Sequence, residues 1–511
     1  MNALRLSIIA ALAVLPGVAM AEPPDSNAPW YPSLMAFEHY DSGRSHLFTE
    51  ARFHGSFVQG GNAVDVRVSP DDYLTPYNVV YLDADAMFVY GGGYGDKGGI
   101  GAFVARIDPA TLKTLWTNQL INTVETNEWD YPGVVSILRN GYLYVIYGYR
   151  IVKLDPVDGH VVAGPVQLPT APTADLRDTS YNGLDALPDG TLIAKTVYRE
   201  KGCEEQGFSA FLKCEHPAAV PRSIIVAIDP RTLEVVDRIR AEEFIGGRIT
   251  SVRFQGKDYA YVAGSTKIFR YLYQNRHFSL DTSWGPVVYR DRNSGQTAAS
   301  AVVVMNDWIV FENNGTPVTQ PSPGPSPWMT VTAINQADAA RQFAVQPFKS
   351  FESPSNIISF SPSAVSVDPL RNRVFVLDAG PGVIGVLQLD SDGLKTVWTA
   401  KQRTTEFLAL IGPAEHRVVV GTDIPANQPI GSNTQDAVVW REAGTGRELA
   451  RSDLLPVVDT GTMIQPGYAG RMYYMAQEGK VIELTVDPSQ AVSRSDQRAG
   501  GFQKQARGGT N

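Results

Sequence analysis

Glu128-Trp129-Asp130-Tyr131 sets two carboxylates and two aromatic rings within four consecutive residues. Carboxylates so placed can hold a cation or divide the roles of acid and base. Trp129 and Tyr131 can stack on a planar ligand or a sugar ring, and Tyr181 supplies a third ring of that kind. The plainer role for the stretch is a solvated loop with Trp129 packed on its neighbours. In Tyr181-Asn182-Gly183-Leu184-Asp185, Asn182 and Asp185 offer ligand oxygens. With Glu128 or Asp130 they would contribute to the roughly six to eight that Ca²⁺ takes. Their competing role is structural, a turn-capping Asn followed by a strand Asp. Arg248 carries a forked guanidinium suited to a carboxylate or phosphate, and it can equally pair with Glu128 or Asp130. The expected chemistry therefore divides three ways. Glu128, Asp130 and Arg248 are catalytic, Trp129, Tyr131 and Tyr181 contact a cofactor, and Asn182 and Asp185 hold a metal.

Stronger catalytic signatures are missing from the sequence. It has no GxSxG elbow, no HExxH and no Walker loop. Gly91-Gly92-Gly93-Tyr94-Gly95 is not followed by a helical pattern that would turn it into a phosphate cradle. The seven histidines are scattered, so no four-histidine iron site is legible. The two cysteines, Cys203 and Cys214, lie close together in a polar insertion and read as a local disulfide. Residues 1–21 have the form of a secretory leader: Arg5, a short apolar core and Ala19-Met20-Ala21. A periplasmic or secreted protein is expected, with no membrane insertion. The formal charge of −9, without any Lys/Arg-rich run, excludes nucleic acid as a natural partner.

The elements that must position these residues are strands. Asp108-Pro-Ala-Thr-Leu-Lys-Thr-Leu-Trp-Thr117 returns as Asp390-Ser-Asp-Gly-Leu-Lys-Thr-Val-Trp-Thr399. In each copy a short apolar run ends, an Asp-led turn reverses the chain, and a second strand carries Trp back across the first. Asp155-Pro156, Asp229-Pro230 and Asp487-Pro488 repeat the turn. Sets of four short strands follow one another from residue 79 to 450, with no helical period between them. Units of this kind bury their apolar faces only by stacking. The expectation is an all-β propeller of eight four-stranded blades, with seven as the alternative, spanning residues 22–488. The last set lacks a strand, and residues 34–40 are expected to complete it from the opposite end of the chain, closing the ring. Residues 287–289 are taken as the outermost strand of blade 4, and 489–511 as a disordered tail.

The Asp-x-x-x-Leu-Lys-Thr-x-Trp turns resemble the PQQ-like, quinoprotein-type β-propeller repeat, and Thr445-Gly446-Arg447-Glu448 is a weaker copy. That resemblance implies a propeller and admits both dehydrogenases and non-catalytic scaffolds. The chain lacks the vicinal cysteine pair of many quinoprotein alcohol dehydrogenases. Separately, Asn182-Gly183-Leu184-Asp185-Ala-Leu-Pro-Asp189-Gly190 resembles a run in calcium-dependent lactonase-like propellers, in which the Asn would be a metal ligand.

On a propeller, loops between blades and loops between second and third strands share one face. The long second-to-third-strand loops at 91–101, 199–222, 312–328 and 422–436 would raise walls there, the second braced by Cys203–Cys214. Three functions fit. One is an enzyme on a small polar substrate, either a quinone- or metal-dependent oxidoreductase or a Ca²⁺-dependent hydrolase. Another is a scaffold that binds a periplasmic protein. The last is a subunit of a redox complex. PQQ and Ca²⁺ are the cofactors these readings would require.

Overall fold

A computed structural model describes residues 29–487 apart from 74, 93–100, 208, 211–213, 215–219, 316–326, 352–358, 431–432 and 459–461. The leader and tail, and most of the loops at 91–101 and 312–328, lie outside the described residues. Eight antiparallel sheets form a ring, and the protein is an eight-bladed β-propeller. Blade 1 comprises Pro76–Asp83, Ala86–Gly91, Phe103–Ile107 and Thr114–Gln119. Blades 2 to 7 begin at residues 134, 179, 250, 303, 366 and 409. The innermost strands are buried on both faces, whereas outermost strands such as Thr114–Gln119 alternate between half-buried and exposed. The Asp turns form as their residue types dictate. Asp108 accepts the Ala110 N–H at 2.9 Å and the Thr111 hydroxyl at 2.7 Å.

The ring closes between chain ends, but not with the strand expected. Ala63–Val68 pairs antiparallel with Val481–Asp487 as the outermost strand of blade 8, in register from Ala63↔Asp487 to Val68↔Ile482. Its sequence, Ala-Val-Asp-Val-Arg-Val, alternates apolar with charged residues, as an edge strand with one wet face requires. Residues 34–40 are apolar on both sides of Glu38 and His39 and would leave a hydrophobic edge in water. A second correction concerns blade 4. Its outer strand is His277–Leu280, and Val287–Val288 makes only a short extra pairing with the start of Lys267–Gln274.

Residues 30–51 instead thread the central channel. Inner strands bonded on one side only present N–H groups to the axis, and each needs an acceptor. The segment supplies them. The carbonyls of Met35, Ala36, Ser42, Gly43, Ser45 and His46 accept from Tyr81, Ile137, Ser251, Val304, Val367 and Leu410, which belong to blades 1, 2, 4, 5, 6 and 7, at 2.8–3.1 Å. Ser42 Oγ donates to Ala186 of blade 3 at 2.8 Å, and Leu34 N–H to the Tyr468 hydroxyl of blade 8 at 3.1 Å. Leu47–Phe48 adds a parallel strand inside Ala409–Ile411. Every blade is tied to one hub.

Candidate functional site

The entrance to blade 2 is set by a one-turn helix, Thr123–Thr126. Asn122 caps its start and left-handed Asn127 ends it, and Glu128 to Tyr131 then lead into Val134–Ile137. Glu128 is held by Arg150 through two contacts, Nη1 to Oε2 at 2.7 Å and Nη2 to Oε1 at 3.0 Å, and by the Tyr149 hydroxyl at 2.7 Å. Burial pushes its pKa up, but those donors outweigh burial and hold it below the ordinary value. Asp130 differs. Its Oδ1 accepts the Gly148 N–H at 2.9 Å, while buried Oδ2 has no hydrogen-bond partner among the described residues. Burial pushes its pKa up to about 6. Trp129 is fully buried, stacked on Tyr131 with centroids 5.6 Å apart, and donates Nε1–H to the Gly207 carbonyl at 3.2 Å.

Cys203 and Cys214 are bonded, and their loop is clamped onto this entrance. Gln206 Nε2 donates to the Glu128 carbonyl at 3.1 Å, and its Oε1 accepts from Asp130 N–H at 3.4 Å. Buried Arg199 spans Asp178, the Glu205 carbonyl and the Asn127 carbonyl at 2.7–2.8 Å. The disulfide loop therefore fixes the backs of Glu128, Trp129 and Asp130.

In blade 3 the expected residues part company. Tyr181 is fully buried and its hydroxyl donates to the Pro169 carbonyl at 2.6 Å, well engaged within the wall. Asn182 is buried with Oδ1 unpaired among the described residues. Gly183 takes φ +70°, and a Cβ there would lie 3.2 Å from the Arg248 side chain, so the backbone passes Arg248 only as glycine. Asp185 lies deeper. Its two oxygens accept the Ala186 and Ser251 N–H groups at 2.7 and 2.8 Å. Burial pushes its pKa up to about 7, with Arg44 opposing.

Arg248 does not reach Glu128 or Asp130. Its Nε donates to Glu38 Oε1 at 2.7 Å, Nη2 meets the Tyr77 hydroxyl, and the guanidinium lies 5.0 Å over the Phe407 ring. Glu38 also accepts from Tyr77 at 3.0 Å and lies 2.6 Å from His39 Nε2. His39 Nδ1 is 2.6 Å from His46 Nε2. Burial drives both histidine pKa values down, that of His39 to about 3. Arg44 donates Nε–H to the Ile249 carbonyl at 2.7 Å. Tyr40, Arg44 and His46 all have positive φ, a costly backbone for such residues that only a firmly enclosing structure sustains. Sequence reading missed this axial group. The available signal was the density of ionisable residues in Glu38-His-Tyr-Asp-Ser-Gly-Arg-Ser-His46 between apolar flanks.

The fold matches known proteins where the sequence does not. The quinohemoprotein alcohol dehydrogenase from Comamonas testosteroni aligns with a TM-score of 0.53 at 12% identity, over 88% of this chain and 80% of that one. The quinohemoprotein alcohol dehydrogenase ADHIIG from Pseudomonas putida HK5 aligns at 0.51 and 11%, over 90% and 80%. BamB from Moraxella catarrhalis aligns at 0.48 and 10%, over 82% and 98%. At these identities the likeness is one of fold. No protein-family model and no curated protein sequence matches the chain.

The cavity described at the axis has no room for a fused-ring quinone. The axial cavity beside Glu38, His39, Tyr77, Asn78, Phe407 and Gln465 has a volume of about 10 Å³. That is room for about one water and not for a fused-ring quinone. Trp129 has no free face there. Both oxygens of Asp185 accept backbone N–H groups, and the Arg44 guanidinium opposes the rise in its pKa.

Proposed function

We propose that this chain is an exported propeller that binds a small polar molecule at its blade-entrance face and acts on it there, with Asp130 as the proton-transfer group. One observation carries the reading. Asp130 is a buried carboxylate just before blade 2 with one oxygen unpaired among the described residues, and its pKa of about 6 suits acid–base work near neutrality. Glu128, fully engaged by Arg150, is a positioning residue in this account rather than a catalyst. Export is supported by the leader-like start of the sequence and by the disulfide. The test is a thermal-shift screen of small polar molecules followed by turnover assays on the hits. A hit converted by the wild type and not by Asp130→Asn supports the reading. Equal conversion by both proteins overturns Asp130's role.

A second reading, a binding propeller for another exported protein, draws support from the stapled wall over Trp129. It predicts hits that bind without turnover, or none at all.

A further inference from the structure

Four side chains stand in one row inside the ring. Glu38 Oε1 is 2.6 Å from His39 Nε2, His39 Nδ1 is 2.6 Å from His46 Nε2, and His46 Nδ1 is 3.0 Å from Ser366 Oγ. The Ser366 hydroxyl in turn reaches the Leu408 carbonyl at 2.5 Å. None of the four residues is more than 3% exposed, so bulk water does not stand in for a missing donor. Ser366 opens the inner strand of blade 6, Ser366–Asp368, and Leu408 precedes that of blade 7, Ala409–Ile411. The row therefore runs from Glu38 in the channel to the seam between two blades.

The hydrogens in the row can be counted. Each of its four contacts needs one hydrogen, since lone pairs otherwise face each other at hydrogen-bond distance. A neutral imidazole brings one N–H and a serine one O–H. Two rings and one hydroxyl supply three hydrogens for four contacts. The row is one short.

Charge decides where the shortage falls. Glu38 is a carboxylate that accepts from Arg248 Nε at 2.7 Å and from the Tyr77 hydroxyl at 3.0 Å. An ionised acceptor makes the strongest demand on a neighbouring donor. With both rings neutral, His39 therefore keeps its hydrogen on Nε2 and accepts at Nδ1. His46 likewise donates from Nε2 and accepts at Nδ1, and the Ser366 hydroxyl turns toward it. The Leu408 carbonyl is left without that hydroxyl. One added proton reverses the far end: His46 gains an Nδ1–H, donates it to Ser366 Oγ, and the hydroxyl swings to Leu408. The charged groups acting on both rings are Glu38, which favours the proton, and Arg44 and Arg248, which oppose it together with burial. The proton accordingly enters in acid.

We propose that Glu38, His39, His46 and Ser366 form a one-proton switch, in which proton uptake by the ring pair turns the Ser366 hydroxyl from His46 to Leu408 and so bonds blade 6 to blade 7. The switch is independent of the role given to Asp130.

The test is nitrogen NMR of the full chain with ¹⁵N-labelled histidine, which reads each ring nitrogen as bare or protonated. Among the seven histidines, the hub pair identifies itself by coupling across its N–H···N bond. At pH 8 both hub rings should be protonated on Nε2 and bare on Nδ1. On acidification a single proton should enter for the two rings, and His46 Nδ1 should become protonated. Ser366→Ala, which keeps both rings, should shift the His46 Nδ1 signal at pH 8. Hydrogens on Nδ1 of both rings at pH 8, or three ring hydrogens already present there, would overturn the proposal. So would two separate uptakes, or no uptake before the chain unfolds. An unmoved His46 signal in Ser366→Ala would remove the serine from the switch and with it the link between the blades.

Discussion

Replacing Asp130 with asparagine isolates the titration of one buried group. Asp130 is 2% exposed, with Oδ1 on the Gly148 N–H and Oδ2 unpaired among the described residues. In Asp130→Asn the new side chain can keep the first bond through its own oxygen, and its amide nitrogen replaces Oδ2 without adding charge. Burial raises the carboxyl pKa from the ordinary 3.8 to about 6. A carboxyl raised on folding lends stability that is fully present below its unfolded pKa and is lost as pH rises through the folded one. The penalty for ionising it in place is about two pH units at ~1.4 kcal/mol each, or about 3 kcal/mol. Urea midpoints of wild type and Asp130→Asn, measured at pH 4 and pH 8, give the comparison directly. His39, His46 and the other buried carboxyls are common to both proteins and cancel in the difference. The variant should gain about 2–3 kcal/mol on the wild type between the two pH values. Parallel pH profiles would refute both the raised pKa and the proton-transfer role built on it.

The hub predicts an asymmetry between two N-terminal positions. Phe37, fully buried and stacked on Trp30 at 4.3 Å, should cost about 3–5 kcal/mol as Phe37→Ala, whereas Val66→Ala on the half-wet closing strand should stay within about 0.5 kcal/mol in the same urea assay. Cys203→Ser with Cys214→Ser should cost up to about 3 kcal/mol through the freed loop. It should also shift Trp129 emission to longer wavelength as Gly207 leaves the indole; unchanged emission would show that the loop holds without its staple. Adding PQQ with calcium should leave the melting temperature unchanged, and a saturable rise would show that the channel accepts the quinone after all.

The blades were legible because each rests on local chemistry. Asp108 and Asp390 turn the chain within a few residues, and alternating strands between such turns leave few other architectures open. The closure was misplaced because residues 34–40 look like a better strand than Ala63–Val68 when hydrophobicity alone is weighed. A hub inside a ring is where an apolar segment bearing Glu38 and His39 can be enclosed. The order of elements was legible too, since Glu128 to Tyr131 do precede the first strand of blade 2, Val134–Ile137. Pairing was not. Glu38 and Arg248 meet across 210 residues of sequence, and Glu128 finds Arg150 through a short loop that looked unremarkable beside its longer neighbours. The bonds of Tyr181 to Pro169 and of Asp185 to Ser251 were hidden by the same cause. Strand alternation says which face a residue takes but not whether that face meets the channel or the next blade.

Hydrogen exchange with mass spectrometry addresses the hub itself. Peptides from residues 34–48 should exchange as slowly as those from the inner strands they serve, Val303–Met305 and Ala409–Ile411, because both open only with the whole ring. Exchange of residues 34–48 at the rate of the exposed hairpin turns, with the inner strands still protected, would contradict a channel filled by this segment.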